Sequence, residues 1–298
     1  MRRVIAAALA ALVSSSAAFA VDIETATGPV SIAETPKRVA AYDIASIDTL
    51  ERLGVQPAGT PVNLYTSALD GVAKKAKPVG TVFEPDLEAL NALEPDLVIV
   101  GGRSSPKKAL VEKVAPAIDM SLTGNDLIGG VRARVAAFGA LFGKETEAKA
   151  AIAELDAALA AARKAAEGKG TALIVMTNGP KISAFGAGSR FGWVHQALGL
   201  PTTLKEMQST PHGEAVSFEF VAKADPDWLI VLDRAAAIGS SEQNAKATLD
   251  NEIVAKTKAW RNGHVVYVPP ADFYVASGGV QATTRVLNAL AKALSSAE

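Results

Sequence analysis

The sequence predicts an α/β protein in which two α/β lobes are joined by a single long backbone helix, with a ligand cleft between the lobes. Strand and helix patterns alternate in both halves of the chain, and a long alanine-rich helical pattern separates the halves. One unit also occurs twice, with its final arginine 131 positions further along in the second copy. The two copies read LEALNALEPDLVIVGGR, from Leu87 to Arg103, and FEFVAKADPDWLIVLDR, from Phe218 to Arg234.

Residues 1–20 have the three parts of a cleavable signal peptide. Two arginines follow Met1, an apolar stretch runs from Val4 to Val13, and Ala18-Phe19-Ala20 is a small-x-small cleavage site. A buried N-terminal helix is the alternative. The sequence therefore predicts a soluble periplasmic protein, and we expect it to be a monomer.

Charge and cysteine content exclude several classes of partner. Loss of Arg2 and Arg3 with the signal peptide reduces the 30 basic residues to 28, against 31 acidic ones. We therefore expect neither nucleic acid nor an acidic membrane surface as a partner. The chain has no cysteine, which excludes thiol catalysis, disulfides and a lipid-modified cysteine at the cleavage site.

The first lobe is predicted to span residues 21–124. Lys37–Tyr42 reads as a strand, and a helix pattern from Ser46 to Leu53 ends at Gly54, a typical C′ glycine. Leu97–Val100 has no polar alternation, which is typical of a strand covered on both faces of a parallel sheet.

The backbone helix is predicted over residues 125–167. This stretch is rich in alanine, has charges interspersed and contains no proline, and it could be broken or bent near Gly143-Lys144. A disordered charged linker is the alternative. Alternation resumes in the second lobe, residues 168–298. Strands are expected at 171–176, 228–232 and 264–269, and helices at 191–198, 218–224 and 283–294.

Three arginines are the main candidates for ligand binding. Arg103 and Arg234 each follow the buried strand of a repeated unit, and Arg190 lies in the glycine-rich loop GAGSRFG. Open α/β sheets bind ligands at the carboxyl ends of their strands, so we expect these side chains to point into the cleft. Three guanidinium groups suit an anionic ligand with several oxygens. For any single arginine, a solvated surface charge is the alternative. Tyr42 and Tyr65, in first-lobe loops near strand ends, could line the same cleft as aromatic walls.

The order of these patterns resembles the periplasmic siderophore-binding proteins of iron-uptake ABC transporters, which are class III, or cluster A, substrate-binding proteins. Within that class it is most similar to the CeuE-like group, which binds ferric catecholate siderophores. The resemblance covers essentially the whole mature chain. It is carried by KRVAAYDIASIDTLERLGVQPAG, LEALNALEPDLVIVGGR, SRFGWVHQALGL, TPHGEAVSFEF, PDWLIVLDR and FYVASGG.

The resemblance implies a role for each candidate residue. The three arginines would hold the negatively charged complex, and His212 and Tyr274 would ligate the iron when the siderophore supplies only four donors. Surface exposure of His212, and packing of Tyr274 against Gly278-Gly279, are the alternatives. Glu88 and Glu219 would dock to arginines of a permease dimer, although a carboxylate is also favourable at a helix N-terminus for local reasons.

The expected function is capture of an anionic ferric siderophore and its delivery to an ABC importer, with no permanently bound cofactor. Haem or cobalamin binding on the same fold is the strongest alternative. A free zinc or manganese ion would need several converging histidines and carboxylates, and the chain has three histidines, of which His195 and His264 are interpreted as structural. An enzyme is not expected, because GAGSRFG matches none of Gly-x-Gly-x-x-Gly, Gly-x-Ser-x-Gly and Gly-Lys-Ser/Thr.

Overall fold

The computed structural model describes residues 20–204 and 213–296. Within these ranges the chain forms two five-stranded sheets and one two-stranded hairpin, each large sheet being covered by helices. The predicted two-lobe α/β class is confirmed. No helix in these ranges is both long enough and apolar enough to cross a membrane.

The first lobe combines a hairpin with a parallel sheet in the order β5-β4-β3-β6-β7. Short 3₁₀ turns lie at Ser67–Leu69 and Gly102–Lys107. The strands are β1 (Val21–Thr25), β2 (Gly28–Ile32), β3 (Val39–Ala41), β4 (Gly59–Thr60), β5 (Lys77–Pro78), β6 (Leu97–Val100) and β7 (Ala117–Asp119). The helices are α1 (Ile44–Arg52), α2 (Asp70–Ala73), α3 (Leu87–Leu93) and α4 (Lys108–Val111).

Two helices, α5 (Leu127–Phe142) and α6 (Glu145–Ala166), replace the single backbone helix predicted over residues 125–167. The break lies at the Gly143-Lys144 step, where Gly143 adopts the left-handed conformation with φ of 62° and ends α5. Gly139 lets the two helices approach closely, since a Cβ at this position would lie 2.7 Å from the Ala148 Cβ. A single continuous helix is therefore wrong, and the site of the break is the one that the sequence indicated.

The second lobe has a mixed sheet in the order β10-β9-β8-β11-β12, in which β9 runs antiparallel to both of its neighbours. The sequence interpretation missed β9 and β10. A further 3₁₀ turn lies at Val254–Lys256. The strands are β8 (Ala172–Asn178), β9 (Lys181–Phe185), β10 (Glu214–Val216), β11 (Trp228–Asp233) and β12 (Val265–Tyr267). The helices are α7 (Trp193–Leu198), α8 (Phe218–Ala224), α9 (Arg234–Ile238), α10 (Ala245–Leu249), α11 (Lys258–Arg261), α12 (Pro270–Tyr274) and α13 (Val280–Ser295).

The apolar strands are buried on both faces, as the sequence predicted. In β6, Leu97 and Ile99 join a large core shared with α5, α6 and α13, whereas Val98 and Val100 face a separate core with α3. Strand β11 alternates in the same way between the shared core and a core of the second lobe. Helix α13 packs along α6 and against α1, so the last helix of the chain contacts both the backbone helices and the first lobe.

The repeated Pro-Asp step anchors the start of a neighbouring strand in each lobe. The Asp96 carboxylate accepts hydrogen bonds from the backbone N–H groups of Lys37 and Arg38, at 2.7 and 2.9 Å, just before β3. Asp227 accepts from the backbone N–H and the hydroxyl of Thr171, at 2.8 and 2.9 Å, just before β8. The two aspartates therefore have the same structural role in the two copies of the repeated unit.

Replacing Asp227 by alanine is expected to lower the free energy of unfolding at pH 7 by about 1–2 kcal/mol, because two hydrogen bonds to a partly exposed carboxylate are lost. The bond from the Thr171 backbone N–H is the main cause that holds the pKa of Asp227 below its ordinary value. The ionised Asp227 carboxylate therefore stabilises the folded protein above its unfolded pKa near ~3.9. This stabilisation is lost as the pH falls through the lower pKa that Asp227 has in the folded protein.

Urea unfolding of Asp227→Ala and of wild type at pH 7 and at pH 3 measures this contribution. The difference between the two proteins should shrink at the lower pH. The exposed Glu252 provides a control as Glu252→Ala. A difference that stays constant between the two pH values would contradict the assignment.

Candidate functional site

The three predicted arginines converge on one tyrosine where the first lobe meets the second. Arg103 comes from the 3₁₀ turn after β6 in the first lobe, Arg190 from the GAGSRFG loop and Arg234 from the start of α9. Their guanidinium carbons lie 4.7, 5.0 and 5.9 Å from the ring centroid of Tyr274, the last residue of α12. The structure therefore brings together four of the residues that the sequence singled out.

Hydrogen bonds hold this cluster in place. The Tyr274 carbonyl oxygen accepts from Nη2 of Arg103, at 3.1 Å, and from Nη2 of Arg190, at 2.6 Å. Nε of Arg234 donates to the Tyr274 hydroxyl, at 3.3 Å, and its Nη1 donates to Oδ1 of Asn178, at 2.8 Å. Arg103 thus reaches from the first lobe to α12 of the second and ties the lobes together at the site.

Ion pairing within the described residues does not neutralise the positive charge of this cluster. In residues 20–204 and 213–296, no aspartate or glutamate forms an ion pair with Arg103, Arg190 or Arg234. Desolvation of the guanidinium by the surrounding protein, and after it the charge of Arg103, lowers the pKa of Arg190 to about 10. Arg190 as a whole residue is exposed, and the group remains a cation at neutral pH. Like charges held this close are costly unless an anion joins them, so the cluster has the charge that suits an anionic ligand.

The arginines also favour the ionised form of Tyr274. Burial alone would raise the pKa of its hydroxyl, but hydrogen bonding and the positive charges of Arg234 and Arg103 outweigh burial, and the pKa is lowered. A phenolate is a hard oxygen donor, the kind of ligand that suits a hard metal ion such as Fe³⁺.

Replacing Arg234 by glutamine is expected to raise the pH at which Tyr274 ionises, because the variant loses both the positive charge and the hydrogen bond from Nε to the hydroxyl. Ultraviolet titration of the tyrosinate band, with and without Tyr274→Phe, isolates the signal of this one ring. Arg132, whose partner is Asp156 on α6, gives the control variant Arg132→Gln. An unchanged Tyr274 titration in Arg234→Gln would contradict the stated cause.

An aromatic floor supports the cluster. Phe191 stacks on Phe273 with ring centroids 4.7 Å apart, and Phe185 meets Phe191 edge-on at 4.8 Å. Trp193 completes the group at 6.0 Å from Phe273. This aromatic packing holds α12 against the GAGSRFG loop, and thereby positions Tyr274 and Arg190.

A cavity of about 570 Å³ opens beside Arg103 and Arg190, with Asp43 and Arg134 in its lining. Arg134, on α5, is 4% exposed. Its guanidinium lies 3.7 Å from the Asp43 carboxylate and donates to the carbonyls of Gly278, at 3.2 Å, and of Met120. Burial lowers the pKa of Arg134, while nearby carboxylates, Asp43 foremost, oppose the shift.

Sequence reasoning missed Arg134. The available signal was an arginine on the apolar face of α5, three residues after Val131 and four before Phe138, both of which are fully buried. A charged residue at such a position must be paired to be tolerated.

The two tyrosines proposed as cleft walls have different outcomes. Tyr42 is fully buried in the first-lobe core, where its hydroxyl donates to the Val79 carbonyl at 2.7 Å, so its assignment as a cleft wall is wrong. Tyr42 does follow the end of β3, as the sequence predicted, but its side chain packs into the first-lobe core and does not line the cleft. Tyr65 is partly exposed and lines a separate opening of about 360 Å³ against Ala236 and Ile238 of α9. It lies between the lobes but apart from the arginine cluster.

One predicted metal ligand, His212, lies outside the described part of the chain. His195 is buried with Nδ1 2.9 Å from the Leu200 carbonyl, and His264 stacks on Trp228 at 4.2 Å, so both have structural contacts as expected. In residues 20–204 and 213–296, no group of three His, Asp or Glu side chains is placed to hold a metal ion.

Glu88 and Glu219 occupy equivalent, exposed positions on the two lobes. Each lies in the first turn of a seven-residue helix, α3 capped by Asp86 and α8 capped by Ser217. Hydrogen bonds from its own backbone N–H and from Ser217 lower the pKa of Glu219, so it is ionised at neutral pH. The lobes thus each present one acidic residue in the same local setting.

Comparison with known proteins gives a consistent result. A family model described as "Periplasmic binding protein" matches residues 39–271. The petrobactin-binding protein YclQ of Bacillus subtilis (strain 168) is 33% identical over 260 residues, which is 86% of this chain and 82% of YclQ. The ferric-anguibactin-binding protein FatB of Vibrio anguillarum (strain ATCC 68554 / 775) is 30% identical over 277 residues, which is 91% of this chain and 86% of FatB.

A solved structure agrees in fold over nearly the whole chain. The periplasmic catecholate-siderophore binding protein VctP from Vibrio cholerae superposes with a TM-score of 0.84 at 28% identity. The match covers 91% of this chain and 99% of VctP.

Proposed function

This chain belongs to the periplasmic binding protein family, and on that premise we propose that it captures an anionic ferric siderophore in its cleft for delivery to an ABC importer. The observation that carries the proposal is the convergence of Arg103, Arg190 and Arg234 on Tyr274 without a neighbouring carboxylate partner in the described residues. The named ligands of YclQ, FatB and VctP are all siderophores or their ferric complexes, which supports the same class of ligand here.

A catecholate siderophore fits the charge of the site. Two or three catecholates around one ferric ion leave the complex with a net negative charge, and its oxygens present several acceptors in a small volume. Guanidinium groups from three separate elements can meet such a ligand from different directions. We propose a binding protein and not an enzyme, because the family is one of binding proteins. The cluster of three arginines and Tyr274 also contains no nucleophile paired with a base.

The iron itself is cargo, and we assign two residues to its coordination shell. Tyr274 presents a hydroxyl whose pKa is lowered by the arginines, and it can replace water on Fe³⁺ when the chelator supplies only four donors. His212 is proposed as the second protein ligand on the resemblance of TPHGEAVSFEF to the siderophore-binding group. An imidazole nitrogen can complete the shell.

Quenching of tryptophan fluorescence tests the proposed function, because Trp193 lies in the lining of the cavity beside the cluster. The mature chain is titrated with a ferric hexadentate tris-catecholate, the same chelator without iron, haemin and cobalamin. Saturable quenching by the ferric catecholate, with weaker or absent response to the other three, is the expected result. Binding of haemin or cobalamin with no response to any ferric catecholate would overturn the ligand assignment.

Docking to the importer is proposed to use Glu88 and Glu219. One exposed carboxylate on each lobe suits a two-fold permease that presents arginines at two equivalent positions. Residues 1–20 are proposed to direct export, after which the mature chain begins at Val21 and acts as a monomer in the periplasm.

Replacing both Glu88 and Glu219 by alanine is expected to reduce uptake of radioactive iron by cells at least ~10-fold, since two charge pairs with the permease are lost. The affinity of the purified variant for the ferric siderophore should stay within about twofold of wild type. Glu219 and Arg234 line one cavity, but no ion pair joins either glutamate to the cluster in the part of the chain that the structure describes. Glu145→Ala with Glu252→Ala, also exposed glutamates, is the control. Normal uptake by the Glu88/Glu219 variant would rule out this docking assignment.

A further inference from the structure

The segment that carries Tyr274 is held by the first lobe at several points. The N-terminus of α13 meets α1, where the Asp48 carboxylate accepts from the backbone N–H groups of Gln281 and Ala282, at 2.8 and 3.2 Å. Thr49 accepts from the Val280 N–H at 3.3 Å. Side chains of one lobe thus cap a helix of the other.

Gly279 makes this contact possible. A Cβ at this position would lie 2.5 Å from Oδ2 of Asp48, so any other residue would push α1 and α13 apart. The second glycine of the FYVASGG stretch is therefore explained by the approach of Asp48, and not by packing against Tyr274.

Arg285 extends this contact from α13 to α12. Its guanidinium forms a two-pronged ion pair with Asp272, with Nε to Oδ2 at 2.8 Å and Nη2 to Oδ1 at 2.7 Å. The same Nη2 also donates to Oδ1 of Asp48, at 3.1 Å. Asp48 is fully buried and the Asp272 side chain is 8% exposed, so Arg285 forms an ion pair with two carboxylates that have little access to water.

Asp272 and Tyr274 both lie on α12, a helix of five residues. The linked ion pairs of Asp48, Arg285 and Asp272 therefore hold the same helix whose last residue, Tyr274, contacts the three arginines. We propose that Arg285 and Asp48 are positioning residues. They hold α12 against α1 of the first lobe, and they thereby place the Tyr274 hydroxyl where it can ligate ferric iron.

This inference rests on the proposed function, and it separates two kinds of ligand. A hexadentate chelate fills the iron shell and needs only the arginines, whereas a tetradentate chelate also needs the Tyr274 oxygen at the correct place. Loss of Arg285 should therefore weaken tetradentate binding selectively. Substitution of residues that orient metal ligands typically costs about 10–100-fold in metal affinity.

The experiment compares Arg285→Gln, Arg285→Lys and wild type with a ferric tetradentate bis-catecholate and a ferric hexadentate tris-catecholate. For Arg285→Gln we expect at least ~10-fold weaker tetradentate binding and a weaker tyrosinate-to-iron charge-transfer band, with hexadentate affinity within about threefold of wild type. Arg285→Lys should recover part of the band, because an ammonium can pair with Asp272 but lacks the fork.

Arg52→Gln is the matched control. Arg52, on α1, also forms a two-pronged ion pair, but its partner is Glu154 of α6, and among the described residues no ion pair joins it to α12. Hexadentate binding shows that each variant is folded. Equal loss for both chelates, or no loss for either, would overturn the positioning role while leaving the proposed function intact. If wild type binds neither chelate, the proposed function fails and this inference fails with it.

Discussion

Replacing Arg103 and Arg234 together by glutamine is expected to weaken binding of an anionic ferric catecholate by at least ~100-fold. A hydrogen bond to a charged partner contributes about 1.5–3 kcal/mol, so the loss of one from each arginine removes ~3 kcal/mol or more. Because both residues contact Tyr274, the effects of the two single substitutions on the binding free energy are expected to be coupled and not simply additive.

Titration calorimetry at low and high salt measures this effect. The affinity of wild type should fall as salt rises, and the double variant should depend less on salt, because fewer charges meet the ligand. Arg132→Gln, which removes an arginine paired with Asp156 of α6, should bind like wild type. A loss of threefold or less in the double variant would show that the cluster does not hold the ligand.

The second large effect is expected from Tyr274→Phe combined with His212→Ala. With a tetradentate ferric bis-catecholate, the affinity should fall by at least ~10-fold and the tyrosinate-to-iron band in the visible spectrum should disappear, because two protein donors are lost. A hexadentate complex needs neither donor, so its affinity should change little.

Tyr267→Phe is the control for the tyrosine substitution. Tyr267 lies in β12 and takes no part in the cluster around Tyr274. Unchanged tetradentate affinity in the double variant would exclude direct ligation by these residues and leave the arginine cluster as the sole determinant of binding.

The sequence predicted the parts of the site that follow from sheet geometry. Arg103 and Arg234 stand at the ends of strands, and the carboxyl edge of an α/β sheet is where ligands bind, so their convergence could be anticipated from the repeated unit. The repeat extends to detail that the sequence alone did not give. Both helices of the repeated unit end in a left-handed residue, Glu94 and Asp225, at the same relative position.

The rest depends on contacts between segments far apart in sequence. Tyr42 was misplaced because its position after β3 does not say whether the ring turns outward or, as observed, beneath the sheet edge. Arg134 on α5 bonds to Gly278, and Arg285 pairs with Asp48. Each contact joins residues more than a hundred positions apart in sequence, and no local sequence pattern encodes such a pairing. Strands β9 and β10 were missed because the second lobe adds an antiparallel edge that the first lobe lacks.

The most direct measurement is a crystal structure of the mature chain with a ferric bis-catecholate bound. The proposal predicts the chelate between the lobes, with Arg103, Arg190 and Arg234 contacting its oxygens and the Tyr274 hydroxyl oxygen bonded to iron. A chelate bound elsewhere on the surface, or one in the cleft whose oxygens contact none of the three arginines, would contradict the account.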